Sequence, residues 1–366
     1  MSIVPPAIST RQGAFDVIVI LAFRLRLTNI AQQTDAPDSP TAVLRTRCNA
    51  RQPVCIQISV LRRALFGGAA GATALGVLAY RAAPAFWQQY GREIGRPIQQ
   101  PSAHPQPEHW TDRGLHVAWL GHSTLLLKVD GMTILTDPVF SDRVGLSLGP
   151  LTLGLKRLTA PALSQKQVPR TDLILLSHAH MDHLDIPSLR ALEDRRVDVV
   201  TASKTSDLIR VNRYRSVQEL GWGQTARAGA AQIRAVEVNH WGARMRTDTY
   251  RGYNGYLIEV GRYRVLFGGD TANTAAFQSL RSSKAIDLAI IPIGAYNPWI
   301  YYHCTPEQAW RMGNDAGAEF FVPVHHQTFQ LSREPFTEPI ERFHQAAANH
   351  PDRVALSGIG QEFHIS

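Results

Sequence analysis

The stretch Leu173–Asp185, with the sequence LILLSHAHMDHLD, constrains this chain more than any other. Its four leading apolar residues predict a short buried strand. Four side chains able to bind metal then follow within six positions, namely His178, His180, Asp182 and His183. On a helix the first two would point about 200° apart, so they converge only in a loop at the strand end. Imidazole with carboxylate favours zinc over iron or manganese, and the pattern therefore predicts a metal-binding loop.

The net charge of +8 lies almost entirely in the N-terminal part of the chain. Residues 1–100 carry 11 Lys or Arg and 4 Asp or Glu, whereas residues 101–366 carry 27 and 26. Because the region around the metal loop has almost no net charge, it is not expected to bind an extended polyanion. No nucleic-acid partner is therefore expected. The 3 cysteines form neither a disulfide framework nor a zinc knuckle, and they do not settle the compartment.

The composition predicts four regions along the chain. Residues 1–60 are expected to be a poorly ordered extension. Residues 61–85 contain an uncharged stretch from 64 to 80 after an arginine pair, which predicts a membrane anchor or signal segment, with the following domain on the non-cytoplasmic side. A soluble helix and a cytoplasmic location are the alternative. The prolines in residues 86–113 predict a linker, and residues 114–366 are expected to form the globular domain.

Further potential ligands follow three other predicted strands. His240, Asp270 and His325 come after residues 235–238, 265–267 and 320–324. Each of these residues alone is weak evidence for a metal site. An aspartate after two glycines, for example, is more often a turn residue. Together with the first loop they provide enough ligands for two adjacent ions. The segment 144–163, rich in Leu and Gly, has little charge, a composition typical of a loop that faces substrate.

The H-x-H-x-D-H spacing resembles the metallo-β-lactamase superfamily. Other motifs resemble one branch of it, the N-acylphosphatidylethanolamine-hydrolysing phospholipase D group, over roughly residues 110–365. These motifs are WLGHST at 119–124, TDPVFS at 136–141, NHW at 239–241, GDT at 269–271, PIGAY at 292–296, and His303 with PEQA at 306–309. The resemblance implies an α/β fold, a four-layer αβ/βα sandwich with a dinuclear site at one edge, between its two sheets.

The resemblance also implies roles for the ligands. One divalent ion, with zinc as the expected metal, would bind His178, His180 and His240. A second would bind Asp182, His183 and His325, with Asp270 as the bridge. The implied activity is hydrolysis of the phosphodiester of an N-acylated membrane phospholipid by a bridging hydroxide, so a membrane surface is an expected partner. The charge of two divalent ions exceeds that of two carboxylates and one hydroxide, so the centre has a net positive charge. Such a centre stabilises an oxyanion that develops during the reaction.

Several residues are candidates of lower rank. Asp182, Asp270 and His303 are the expected catalytic residues, although His303 could have only a local role beside a helix start. His122 and Asp137 are expected behind the ligands, Trp241 beside them, and Arg244 and Arg246 at an anionic headgroup. His326 and Cys304 differ from the residues that are usual at these positions in the phospholipase D group. These differences put the identity of the substrate in doubt more than the type of reaction. A lactonase or esterase is the main alternative, an RNA-processing nuclease a weaker one, and the oligomeric state is not indicated.

Overall fold

The computed structural model describes residues 80–81, 83–148 and 151–366. The predictions for residues 1–60 and for most of the uncharged stretch, 64–79, lie outside these ranges. The chain divides into two units between Arg96 and Pro97. Among the helices of the described residues, none has the length and apolar content needed to cross a membrane.

Residues 86–113, predicted as a linker, contain regular structure and tertiary contacts. Helix α1 (Pro84–Ile94) lies in the first unit and begins with a proline, which suits the first turn because no NH is needed there. After the unit boundary, the backbone of Gln99 forms a bridge with Thr159, and a short 3-10 helix spans Pro107–His109. Residues 97–113 therefore belong to the second unit. The prolines argued against long helices or strands in residues 97–113, but they could not indicate these contacts with distant residues.

A seven-stranded sheet forms the first half of the second unit, in the order β15-β1-β2-β3-β6-β7-β8. The first four strands pair antiparallel, and β3, β6, β7 and β8 pair parallel. The hairpin between β2 and β3 turns at Asp130 and Gly131, a sequence that favours such turns, and both residues have positive φ. The strands are β1 (Leu115–Gly121), β2 (Thr124–Val129), β3 (Met132–Thr136), β6 (Leu173–Leu176), β7 (Asp198–Ala202), β8 (Ser216–Leu220) and β15 (Glu362–Ile365).

A six-stranded sheet forms the second half, in the order β14-β13-β12-β11-β10-β9. Its parallel part is β12-β13-β14, and the rest is antiparallel. The strands are β9 (Thr225–Ala228), β10 (Ala231–Val236), β11 (Gly255–Val260), β12 (Tyr263–Phe267), β13 (Ile286–Pro292) and β14 (Ala318–Val324). A separate antiparallel pair, β4 (Arg143–Leu148) and β5 (Leu151–Lys156), lies within the segment that was expected to face substrate.

Apolar side chains of both sheets form one continuous core, which includes Leu127, Ile174 and Ile258. A second cluster combines residues of the six-stranded sheet with helices α3 (Pro306–Ala316) and α4 (Glu338–Ala346). Helix α2 (Ile186–Ala191) follows the predicted metal loop. Two sheets with their helices form the α/β, four-layer αβ/βα sandwich that the sequence resemblance predicted.

The sequence TPEQ at 305–308 predicts a capped helix start, and helix α3 begins there. The Thr305 side chain accepts a hydrogen bond from the Gln308 NH, and the Gln308 side chain accepts one from the Thr305 NH. Pro306 occupies the first turn. This capped start fixes the end of the segment that carries His303.

Candidate metal centre

The predicted ligands gather at one edge of the sandwich because each follows the end of a strand. Asp270 comes shortly after β12, and His325 directly after β14. Both are buried, with 3% of the surface of each residue exposed. The remaining predicted ligands lie in the loops after β6 and β10, and they are His178, His180, Asp182, His183 and His240.

The ligand atoms fall into two groups that Asp270 connects. In one group, the ligand atoms of His178, His180, His240 and Asp270 lie within 4.8 Å of one another. The other combines His122, Asp182, His183 and His325 within the same limit. The Asp270 Oδ2 atom lies 3.1 Å from the Nε2 atoms of both His183 and His325, and 3.7 Å from that of His240. Apart from His122, the two groups contain the residues that the resemblance assigns to the two ions, and Asp137 and His303 belong to two further groups that overlap them.

Hydrogen bonds at the Nδ1 atoms orient three of the imidazoles. His183 Nδ1 lies 2.7 Å from Asp137 Oδ2, and His240 Nδ1 lies 2.9 Å from Tyr302 O. His178 Nδ1 lies 2.9 Å from Ser177 Oγ. In each ring the Nε2 atom is thereby directed to the cluster, and partners of this kind fix the tautomer of metal-binding histidines.

Buried atoms without partners show that the residues fit metal ions. Among the described residues, the His178 Nε2 and Asp270 Oδ1 atoms have no hydrogen-bond partner. The Nε2 atoms of His183 and His325 lie 3.1 Å from Asp270 Oδ2 but not in hydrogen-bond geometry. A buried polar atom left unpaired costs about 1–3 kcal/mol. Metal coordination would satisfy these atoms, and the mixture of imidazole nitrogen and carboxylate oxygen suits zinc.

Most charge states in the cluster also fit metal binding. Burial lowers the pKa of His180 to about 3 and that of His240 to about 4, so both imidazoles are neutral at pH 7. Burial alone would raise the pKa of Asp270, but the neighbouring charges of His183 and His325 hold it well below its usual range. Neutral imidazoles and ionised carboxylates are the forms that bind metal. His183 and His325 differ, since Asp270 and Asp182 outweigh burial and raise the pKa of both, that of His325 to about 9. Loss of a proton from each would accompany metal binding.

Asp137, predicted to act behind the ligands, lies in contact with His183. It is fully buried, and its carboxylate also accepts hydrogen bonds from the NH (2.7 Å) and the hydroxyl (2.5 Å) of Ser177. Ser177 was not singled out in the sequence, although it directly precedes the first ligand. Asp137 therefore links the end of β3 to the metal loop after β6.

His122, also predicted behind the ligands, contacts the cluster itself. Its Nε2 atom lies 2.9 Å from Asp182 Oδ2, and burial lowers its pKa to about 3. Its backbone is fixed on both sides, because its NH donates to Thr328 Oγ1 and its carbonyl accepts from the Trp119 indole. His122 is thus placed to hold the Asp182 carboxylate.

His303 and Trp241 lie beside the cluster. His303 Nδ1 is 4.0 Å from Asp270 Oδ2, and burial lowers the pKa of the ring well below its usual value, so His303 is neutral. The Trp241 ring centroid lies 4.5 Å from the ring centroids of both His180 and His240. It covers these imidazoles on one side.

Arg244 occupies a different place from the predicted headgroup contact. Its Nη1 atom donates to Ala179 O (3.0 Å) and to Leu184 O (2.7 Å), which lie at the two ends of the metal loop. The guanidinium is directed to these carbonyls because the irregular loop leaves them available for hydrogen bonding. Arg246, two residues later, is exposed.

Arg157, which no sequence motif marked as a candidate, is fully buried near the cluster. Its guanidinium donates to Ser141 O at 2.7 Å and to Val139 O, and it lies over the Phe329 ring. Burial lowers its pKa to about 10. Phe329 in turn meets His122 edge to face at a centroid distance of 5.2 Å. A lone arginine at the end of the apolar segment was the signal that could have identified it.

Comparison with known proteins agrees with this geometry. Residues 132–326 match the Beta-lactamase superfamily domain. The chain belongs to the metallo-β-lactamase superfamily. An uncharacterized protein of Mycobacterium tuberculosis is 35% identical over 252 residues, which are 66% of this chain and 66% of that protein. The chain therefore spans slightly less than two thirds of that relative.

Two further similar proteins bear on the branch and the fold, respectively. The N-acyl-phosphatidylethanolamine-hydrolyzing phospholipase D of Saccharomyces cerevisiae is 33% identical, over 66% of this chain and 54% of its own length. A metallo hydrolase from the archaeon Ignicoccus hospitalis superimposes with a TM-score of 0.52 at 21% identity, over 69% of this chain and all of that structure. The phospholipase D-like branch and the sandwich fold, both predicted from the sequence, are confirmed.

Proposed function

We propose that this protein is a metal-dependent phosphodiesterase of the phospholipase D type that cleaves N-acylated phospholipids. The observation that carries the proposal is the pair of buried ligand groups joined at Asp270. Two bound divalent ions, with zinc as the expected metal, would neutralise the phosphate and make water a nucleophile at neutral pH. The names of the yeast relative and of a 27% identical nematode relative support the lipid substrate.

The protein's own residues would bind and orient the reactants. Asp182 and Asp270, both ionised, would keep the two metal positions adjacent, and His122 would hold Asp182 in place. The neutral His303 can donate an NH hydrogen bond to the oxygen of the departing alcohol. Trp241 would limit access of bulk water beside His180 and His240.

Apolar surfaces near the cluster support a lipid substrate. A cavity of about 180 Å³ adjoins His325 and is lined in part by Leu158, Phe329, Leu331 and Phe336. Phe329 also packs with Val144 of β4 in a small apolar cluster. A phosphodiester held at the metal positions would thus have apolar surface within reach of an acyl chain.

We further propose that residues 64–80 anchor the protein to a membrane, with the hydrolase domain on the non-cytoplasmic side.

The test compares substrates on the zinc-reconstituted protein. We expect kcat/KM for an N-acylphosphatidylethanolamine to exceed that for a lactone by at least about tenfold, which corresponds to roughly 1.4 kcal/mol. Leu153→Ser, a change in β5, should reduce cleavage of the long-chain lipid more than that of a short soluble diester. A preference for the lactone would refute the lipid assignment and leave the lactonase alternative.

A further inference from the structure

Residues 297–302, with the sequence NPWIYY, expose large apolar side chains beside the metal-binding cluster. We call this segment the aromatic loop. Tyr301 is 73% exposed and Ile300 is 38% exposed. The surrounding chain from 288 to 306 contains no Asp, Glu, Lys or Arg. Contiguous exposed apolar side chains on a soluble domain commonly mark a binding surface.

The aromatic loop is joined directly to the candidate metal centre. The carbonyl of its last residue, Tyr302, accepts the hydrogen bond from His240 Nδ1 at 2.9 Å. The Tyr302 ring also lies 4.5 Å from the Trp241 ring, and the Tyr302 NH donates to Trp299 O. Any surface that contacts this loop therefore lies next to the cluster.

A second segment, 333–336, forms hydrogen bonds with the start of the aromatic loop and with the residues just before it. The Arg333 NH donates to Asn297 O at 2.9 Å, and the Glu334 carboxylate accepts hydrogen bonds from the NH groups of Ala295 and Asn297. Phe336 is 41% exposed and lines the cavity beside His325. Among the described residues of the second unit, these two linked segments thus hold three of the six exposed large apolar side chains.

We propose that the aromatic loop and Phe336 dock the protein on the surface of a phospholipid bilayer. The inference rests on the proposed function, since an N-acylated phospholipid is held in the bilayer by its long acyl chains and must be cleaved there. Tryptophan and tyrosine favour the interface between membrane and water, where an apolar ring and a polar tip are both accommodated. The exposed Arg333 in the second segment matches anionic lipid headgroups.

A local probe tests docking independently of any N-terminal anchor. In full-length protein with Cys48→Ser and Cys55→Ser, an environment-sensitive dye is attached at Tyr301→Cys. The matched control carries the dye at Val211→Cys, a position that is 50% exposed, and the remaining Cys304 is buried. Vesicles of phosphatidylcholine and phosphatidylglycerol contain no N-acylated lipid. We expect a blue shift and quenching by chain-brominated lipids at 301 but not at 211. The same emission shift and the same quenching at positions 301 and 211 would overturn the proposal.

A kinetic comparison tests whether docking serves the same site. The double variant Ile300→Ser, Tyr301→Ser should lower kcat/KM on substrate in vesicles by about tenfold, or about 1.4 kcal/mol, while a short soluble phosphodiester is cleaved at the original rate. Val211→Ser should change neither rate. Equal losses on both substrates would contradict docking. If the unaltered protein cleaves neither diester, the proposed function fails, and the dye measurement still decides whether the loop enters a bilayer.

Discussion

Single side chains from distant parts of the chain hold the metal loop in its binding geometry. Asp137 fixes the His183 ring from the end of β3, and His122 contacts Asp182 from the turn after β1. Arg244 joins the two ends of the loop through Ala179 and Leu184. Since removal of partners behind metal ligands commonly lowers metal affinity 10- to 100-fold, loss of these contacts should weaken metal binding to a similar extent.

Arg244→Met should weaken zinc binding by about 10-fold or more, because the loop loses both hydrogen bonds that close it. Competition with a chelator measures the affinity, and far-ultraviolet circular dichroism checks folding. Arg246→Met, a change to the exposed arginine two residues later, is the matched control and should bind zinc normally. If Arg244→Met keeps its zinc affinity and only raises KM for an anionic substrate, the headgroup contact predicted from the sequence is correct.

Helix α3 packs so closely on its sheet that one position requires glycine. A Cβ atom at Gly313 would lie 2.2 Å from the Phe321 ring and 3.0 Å from Ile291. Both neighbours are buried in the cluster that joins the helix to β13 and β14. The close approach fixes the helix whose capped start follows His303, so packing here affects the position of a candidate catalytic residue.

Gly313→Ala should therefore lower the free energy of unfolding by about 1–3 kcal/mol, since the overpacking outweighs the higher helix propensity of alanine. Gly91→Ala in α1 is the control, because a Cβ atom there meets nothing within 4 Å. Urea unfolding measures the free energy of unfolding of both variants. Gly313→Ala as stable as the unaltered protein would mean that the ring of Phe321 can move aside.

The two sheets bring a dense group of ionisable side chains into one buried edge, and this makes the stability of the whole molecule depend on pH. Burial lowers the pKa of His122 and His180 to about 3 and that of His240 to about 4. Between pH 6.5 and 4 the unfolded chain therefore binds protons that the folded protein does not. The pKa of His325 is raised to about 9, and that of His183 is also raised. Their contributions to stability are complete below pH 6.5 and are lost as the pH rises from there through the raised values.

For the metal-free protein we therefore expect the free energy of unfolding to fall by at least about 2 kcal/mol between pH 6.5 and pH 5, since each group adds up to about 1.4 kcal/mol per pH unit. Urea titrations at the two values measure the change. The zinc-loaded protein at pH 7 should be more stable than the metal-free form, because the ions bind only the folded cluster. Equal stability of the metal-free protein at both pH values would show that the histidines are not held neutral.

Local sequence was enough to locate the metal loop, the strand that precedes it and the capped start of α3. In each case residues a few positions apart act together, so spacing alone specifies the chemistry. The family resemblance then supplied the fold and the pairing of ligands. It also selected His325 over His326, and the structure places His325 Nε2 beside Asp270, whereas the His326 ring packs on Trp119.

Tertiary structure alone decided how the site is supported. Asp137 and His183 are 46 positions apart, and Arg244 is 60 from Leu184, so neither contact leaves a local pattern in the sequence. No pattern in the sequence distinguishes an arginine that binds loop carbonyls from one that faces a headgroup. The buried Arg157 and the contacts of residues 97–113 were missed for the same reason. Their partners are brought close only when the two sheets pack and the loops between strands adopt their final course.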